Sequence, residues 1–499
     1  VTRPLVLGID VGTGGSRAVV VDPDGRIVRA AIAPHVPFRS PQPAWAEQDP
    51  GDWWKAATTA VREVMSAEIA ASDVQAVGLS GQMHGAVLAG ADGQVLRPAI
   101  IWCDQRTEAE CRWLTDEVGD ARLLELTLNP ALTNFTLTKL LWVRRHEPEV
   151  WSRVRHVMLP KDYVRFRMSG VHAIDVADAS GTLLLDVARR AWSTEMLAAA
   201  SISADLLPRL FESAAFCARV SAEGARATGL LEGTPIVAGA GDQAAGAVGM
   251  GIVRPGAVSA TIGTSGVVFA ATERPALDRR GRIHTFCHAV ADRWHVMGVT
   301  QAAGLSLRWL RDQMFRDVGT GDEAYVQMTD EASRVPPGAE GLLWAPYLMG
   351  ERTPHCDPNV RGALVGLAAS HTRAHVARAV LEGVAFSLRD SLEIFADLGI
   401  PVTRLRAGGG GARSLLWREI QAAVYGRPVE TLAAEEGAAY GAAILAGVGA
   451  GVWRSVDDAC DAVVRVGVET VPPDGWIDLM NDRYAAYTSL YPALRSLEA

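Results

Sequence analysis

The sequence predicts an α/β protein made of two similar halves with a cleft between them. Three observations predict this class. Short apolar strand patterns alternate with longer helical ones, a glycine-tipped hairpin recurs half a chain after the first, and polar residues gather just beyond strand ends. Residues 5–33 read as three strands, turned at Val11-Gly12-Thr13-Gly14-Gly15 and again at Pro23-Asp24-Gly25. The capping stretch Asp49-Pro50-Gly51-Asp52 then opens a helix over 53–69. A strand at 74–79 runs into the loop Ser80-Gly81-Gln82-Met83-His84-Gly85, and 105–170 reads as largely helical. A short buried strand at 235–238 leads into Gly239-Ala240-Gly241-Asp242-Gln243 and a helix of small residues. Strands at 257–260 and 267–271 flank Ile262-Gly263-Thr264-Ser265-Gly266, which repeats the Gly-Thr-small-Gly tip of the opening hairpin. Helical patterns cover 301–317 and 372–397. A strand at 402–407 enters Gly408-Gly409-Gly410-Gly411, with a helix at about 414–424 beyond it. Glu435-Glu436 bring acids to the first turn of a last small-residue helix, where the helix dipole favours them. No Pro-, Ser- or Gly-rich linker parts the halves. The boundary is expected in the turn at 252–256, giving domains 1–251 and 252–499.

Composition narrows the function. Over 499 residues, 49% are hydrophobic and 21% charged, which predicts large buried cores. The 57 acidic against 48 basic residues argue against a general nucleic-acid binder. Only three lysines occur (Lys55, Lys139, Lys161) and none completes a G-x-x-x-x-G-K-[ST] loop, so a P-loop nucleotide site is excluded. Six cysteines without a C-x-x-C pair fit a reducing compartment. The uncharged runs 255–272 and 437–453 are too rich in Gly, Ala, Ser and Thr for spanning helices. A cytoplasmic protein without membrane contact is expected.

The two hairpin tips suit phosphate. Backbone amides unobstructed by side chains converge on an anion, and Thr13 or Thr264 adds a hydroxyl, although each tip alone also fits an ordinary tight turn. Asp10, ending an apolar strand, is placed to hold magnesium through water or to satisfy turn amides. Asp242 follows a strand end, as site residues of α/β sheets do, but it also fits a helix cap. Met83 and His84 on a tight loop suit a small hydroxylated molecule, with a structural histidine as the alternative. Trp102, Asp104 and Arg106 form a second mixed cluster. His284, Cys287 and His288 lack the second pair that a zinc site needs, and Trp53-Trp54 reads as core.

With these segments in place, the chain resembles the FGGY family of carbohydrate kinases from about residue 5 to about 490. Residues 8–13 and 262–266 look like its two phosphate motifs, and residues 406–413 resemble its adenosine motif. One family signature is met at Gly362, Leu364, Gly366, Leu367, His375, Val376, Ala379, Val380, Leu381 and Glu382. Another is met at Thr136, Lys139 and Trp142, with Asn134 departing from the usual small or aromatic residue. Residues 81–85, 159–163 and 350–355 look like the members that act on D-xylulose. The resemblance implies an actin-like, ribonuclease H-like duplicated fold with a hinged cleft. It implies ATP-dependent phosphorylation of D-xylulose to D-xylulose 5-phosphate, with a ribulose-like ketose or a polyol as the alternative substrate. Carried over residue by residue, it makes Asp242 the catalytic base and Met83, His84, Asp242 and Gln243 the sugar contacts. Asp10 would serve Mg2+ and ATP; Gly12, Thr13, Gly14, Gly15, Arg17, Gly263 and Thr264 would contact phosphate; Gly410, Gly411 and Arg413 would line the adenine side. The expected partner is a small-molecule sugar, not nucleic acid or membrane, and the candidate assembly is a homodimer.

Overall fold

The computed structural model describes residues 4–65, 69–433 and 437–497. The elements that position the site are, in chain order, β1 (Leu5–Val11), β2 (Gly15–Val21), β3 (Ile27–Pro34), α1 (Pro50–Val64), β4 (Val74–Gly81), α2 (Pro160–Ser169), α3 (Val176–Ser180), β5 (Phe216–Arg219), β6 (Pro235–Val237), β7 (Ala240–Gly241) and α4 (Asp242–Gly249). They continue with β8 (Gly256–Ile262), β9 (Gly266–Thr272), β10 (His284–Cys287), β11 (Trp294–Thr300), α5 (Gly304–Met314), α6 (Arg373–Asp397), β12 (Val402–Gly409), α7 (Leu415–Tyr425), β13 (Val429–Leu432), α8 (Gly437–Gly449) and β14 (Val466–Thr470).

Two seven-stranded sheets carry the fold. The first runs β5-β6-β4-β1-β2-β3, with β7 also on β4, and the second runs β10-β11-β9-β8-β12-β13-β14. The succession β3-β2-β1-β4-β6 has the same strand senses as β11-β9-β8-β12-β13: antiparallel, antiparallel, parallel, parallel. The duplication read from the hairpin tips therefore extends to five strands of each sheet in the same order and senses. β1 and β4 are apolar and buried almost throughout because helices cover both sheet faces. α1 lays Trp53, Ala56, Ala57, Ala60, Val61 and Val64 on the first sheet; Trp53 is core, as read from the sequence.

α8 comes from the second half of the sequence yet packs on the first sheet and on α4. A Cβ on Gly8 would stand 1.9 Å from the Ala439 carbonyl oxygen, one on Gly78 2.0 Å from that of Ala442, and one on Gly441 1.8 Å from that of Ala245. Glycine at these positions lets backbone touch backbone. The helix predicted over 53–69 stops earlier, with Met65 as its C-cap. Its residues 66–68, like Glu435 and Glu436, lie outside the described residues. The strand predicted at 402–407 runs two residues further, to Gly409. Among the described residues, no helix is long and apolar enough to cross a membrane.

Candidate active site

Sheet register brings the two sequence-predicted carboxylates together. Asp10 stands opposite Ser80, and Ala240 and Gly241 pair with Ser80 and Gly81, so β1 and β7 flank the end of β4. Gly239 makes the entry: at φ +75° a side chain is strained, and a Cβ would meet the Leu79 carbonyl oxygen at 1.9 Å. Asp242 opens α4, whose N-cap is Gly241 without a side-chain capping bond. The carboxylate therefore stands in the first turn instead of serving as the cap. Burial first, and the charge of Asp10 second, push Asp242 up to about 7, against hydrogen bonds from Gln243. Burial likewise raises Asp10 to about 6, opposed by Ser80 and the charge of Arg17. Oδ1 of Asp10 is buried and accepts no hydrogen bond.

Beside them lies the Met83-His84 loop. The Gly85 amide donates to the Met83 carbonyl at 2.9 Å, and His84 between them has φ +68°, a strained γ-turn held by its surroundings. Thr136 Oγ1 donates to the His84 carbonyl at 3.1 Å, and Phe135 packs edge-on against the ring at 5.0 Å. His84 Nδ1 lies 2.8 Å from the Gly181 carbonyl oxygen. A carbonyl only accepts, so the proton sits on Nδ1 and Nε2 is a bare acceptor. Burial pushes the imidazole down to about 3, so it stays neutral at ordinary pH. A Cβ on Gly241 would be 2.8 Å from Met83 Cγ, which places the Met83 side chain against the approach to Asp242.

The first hairpin is braced from behind. Its turn closes with the Gly12 amide donating to the Gly15 carbonyl at 3.0 Å, and Gly14 is open on its outer side. Gln48 Nε2 donates to the Thr13 carbonyl at 2.8 Å, and Gln82 Nε2 donates to Gln48 Oε1 at 2.9 Å. The Thr13 hydroxyl donates to Gln82 Oε1 at 3.3 Å and accepts from Trp102 Nε1 at 2.9 Å. Gln82 thus ties the acceptor loop to the hairpin. Of the second mixed cluster, only Trp102 reaches this network. Asp104 is fully buried and binds the Ala46 amide and Arg106, while Arg106 also pairs with Glu47 and lies over the Trp45 ring.

The second hairpin closes one residue more tightly, with Ile262 opposite Gly266 and the Gly263 amide donating to the Ser265 carbonyl at 2.9 Å. The first amides of α5, Gly304 and Leu305, donate to the Gly263 and Thr264 carbonyls at 2.8 and 3.0 Å. Arg308 on the same helix donates to Thr264 Oγ1 at 2.9 Å. This tip opens on a cavity of about 1330 Å³, whose walls include Ile262, Gly263, Thr264, Arg308, Gly410, Gly411 and Arg413. The first hairpin is not among those walls. Arg413 is mostly exposed and lies 3.6 Å from Asp322.

The residues present fit a nucleotide and a divalent cation. The cavity joins the second hairpin tip to arginines that include Arg308 and Arg413, and Asp10 Oδ1 is an orphaned buried acceptor of the hard-oxygen type that magnesium-bound water would satisfy. The triad tested as a zinc site is committed elsewhere: His284 Nδ1 to Asn129 Oδ1 at 2.9 Å, His288 Nε2 to the Ile252 carbonyl at 2.9 Å, and Cys287 Sγ to the Val187 carbonyl at 3.4 Å. Sequence reasoning missed Gln48 and Arg308, which carry no local motif, and read Gln82 only as part of the acceptor-loop motif.

Comparison with known proteins matches the chain to two profiles. Residues 5–249 match the FGGY family of carbohydrate kinases, N-terminal domain, and residues 258–450 match its C-terminal domain. Among curated proteins, the xylulose kinase of Bacillus subtilis is 39% identical over 493 residues, covering 99% of this chain and 97% of its own. The xylulose kinase of Escherichia coli K12 is 40% identical over 453 residues, covering 91% of each. The crystal structure of xylulose kinase from Rhodospirillum rubrum superposes with a TM-score of 0.92 at 33% identity, over 99% of both chains.

Proposed function

The chain belongs to the FGGY family of carbohydrate kinases, and on that premise we propose that it transfers the terminal phosphoryl group of ATP to O5 of D-xylulose, giving D-xylulose 5-phosphate and ADP. The observation that carries the reading is the placement of Asp242. Its carboxylate opens α4 without capping it, beside Met83 and close enough to Asp10 to feel its charge.

Asp242 is the base. A free Asp carboxyl titrates near about 3.9 and holds a proton poorly; burial and Asp10 bring this one to about 7, a match to a late proton transfer at neutral pH. As O5 bonds to phosphorus and the bond to the departing ADP oxygen breaks, Asp242 takes the hydroxyl proton. A loose transition state asks for that proton only late. His84 Nε2, unprotonated, accepts a hydrogen bond from a second sugar hydroxyl and so orients the ketose, with Met83 against its carbon face. Gln243 orients the Asp242 carboxylate. On the nucleotide side, the Thr13, Gly14 and Thr264 amides at the two tips, with the Thr13 and Thr264 hydroxyls, Arg17 and Arg308, steady phosphate charge. Gly410, Gly411 and Arg413 line the end that takes the adenosine. Asp10 would hold magnesium through water, and the ion when bound supplies positive charge to the phosphates.

The test is ADP release at saturating Mg-ATP with D-xylulose, D-ribulose, L-ribulose, gluconate and glycerol offered in turn. D-xylulose is expected to give the highest kcat/KM, with little ADP formed without sugar. A higher kcat/KM for any other acceptor refutes the substrate assignment.

A further inference from the structure

Beneath the acceptor loop lies a group of five charged side chains that the chemistry above does not use. Lys161 near the start of α2 holds its ammonium 2.6 Å from Asp162 Oδ1, 2.6 Å from Asp175 Oδ2 and 3.0 Å from Asp178 Oδ2. Arg165, one turn on, shares Asp162 Oδ1 at 2.6 Å and donates to the Ala238 carbonyl, also at 2.6 Å. All five are at most 2% exposed, a level charged residues reach only when paired. Burial works against the ammonium, the carboxylates outweigh it, and Lys161 stays protonated. Three carboxylates face two cations, so one negative charge is in excess. Among the described residues, Asp178 has only the Lys161 ammonium, 3.0 Å from Oδ2, as a charged partner, and burial raises its carboxyl well above the ordinary range.

The group touches the acceptor site at three points. Lys161 Cβ would be 3.0 Å from a Cβ on Gly81, the residue before Gln82 and Met83. Asp178 Oδ1 would be 3.1 Å from a Cβ on Gly241, the residue before Asp242. Asp175 caps α3 by accepting the Asp178 amide at 2.8 Å, and α3 ends at Gly181, whose carbonyl takes the Nδ1 proton of His84. Lys161, by its Cβ and by its ammonium through Asp175 and Asp178, thus stands against the three backbone segments that present Met83, His84 and Asp242. Buried ion groups often add no stability over apolar residues of the same volume, which leaves geometry as the reason to build one here.

We propose that Lys161 is a positioning residue for the acceptor sugar: shared among Asp162, Asp175 and Asp178, its ammonium sets His84 and Asp242 at the separation the ketose requires. The proposal rests on His84 and Asp242 forming the sugar site. Its test is steady-state kinetics on the full chain, varying D-xylulose and ATP separately. Lys161→Met keeps the stem and removes the charge, and it is expected to raise KM for D-xylulose about tenfold or more, because small displacements at a reacting site are costly. KM for ATP is expected to stay within about twofold, since the nucleotide cavity is built from other elements. Lys161→Met/Asp178→Asn removes the ammonium together with the Asp178 carboxylate that faces it at 3.0 Å. It should recover the melting temperature while the sugar KM stays high, whereas a merely structural lysine would recover both. A folded double variant with sugar and ATP KM values both near wild type overturns the proposal. If neither lysine variant folds, Asp178→Asn alone decides by the same criterion, since it leaves the ammonium in place and removes the carboxylate that links it to Gly241 and α3. Wild type assayed in parallel separates the two failures, since a wild type without sugar-dependent ADP release refutes the kinase reading itself.

Discussion

At the scale of single residues, the paired carboxylates make the sharpest forecasts. Asp10 and Asp242 both titrate higher folded than free, at about 6 and about 7. Such groups stabilise the fold fully below the unfolded value and lose that contribution as pH rises through the folded one. In the ligand-free protein, Asp242→Asn is therefore expected to raise stability at pH 8 by on the order of 1–3 kcal/mol, and by less at pH 5. Thermal unfolding at the two pH values checks this, and an equal effect at both would mean the carboxylate is solvated. For the wild type, kcat/KM for D-xylulose is expected to fall as pH drops through about 7, where the free-enzyme base takes up its proton. Thr264→Val removes the hydroxyl that accepts from Arg308, and KM for ATP should rise by about tenfold with the sugar KM nearly unchanged. Asp10, Asp242 and both hairpin threonines were legible in the sequence because each follows a strand pattern directly. Trp102 was noticed, but its tie to Thr13 spans 89 residues, and the Arg308–Thr264 bond spans 44. Nothing local marks such a partner.

Between elements, the close packing of α8 on the first sheet and α4 is the most demanding contact. Gly441→Ala would drive a Cβ to 1.8 Å from the Ala245 carbonyl oxygen, so backbone must move and a loss of about 1–3 kcal/mol or more is expected in urea unfolding. Gly246→Ala, on α4 with nothing within 4 Å of its new Cβ, is the matched control and should gain up to about 1 kcal/mol from helix propensity. Equal destabilisation by both would deny the contact its special place. The sequence marked a small-residue helix after Glu435-Glu436, and only residues as small as Gly and Ala permit such an approach. Which sheet receives it was hidden, because the partners Gly8 and Gly78 lie in the other half of the chain. The strands at 216–219 and 429–432 also escaped notice; four residues are too few to show a period.

Across the whole molecule, five residues at each hairpin tip announced a duplication that the two sheets carry through five strands in the same order and senses. The repeat puts one phosphate-type hairpin on each sheet, while the acceptor loop and both carboxylates stand on the first and the large cavity on the second. Phosphoryl transfer then requires the two lobes to meet over the sugar, with water excluded as they do. The claim on which this arrangement depends is that Asp242 takes the sugar proton. It is tested most directly by the kcat of Asp242→Asn at saturating D-xylulose and Mg-ATP, with sugar affinity measured alongside. The amide keeps the shape and one acceptor oxygen, so sugar binding should stay within about tenfold while kcat falls by about 10²–10⁴. A folded variant that retains more than about a third of wild-type turnover would contradict a role for Asp242 as base, because losing a general base costs far more than that.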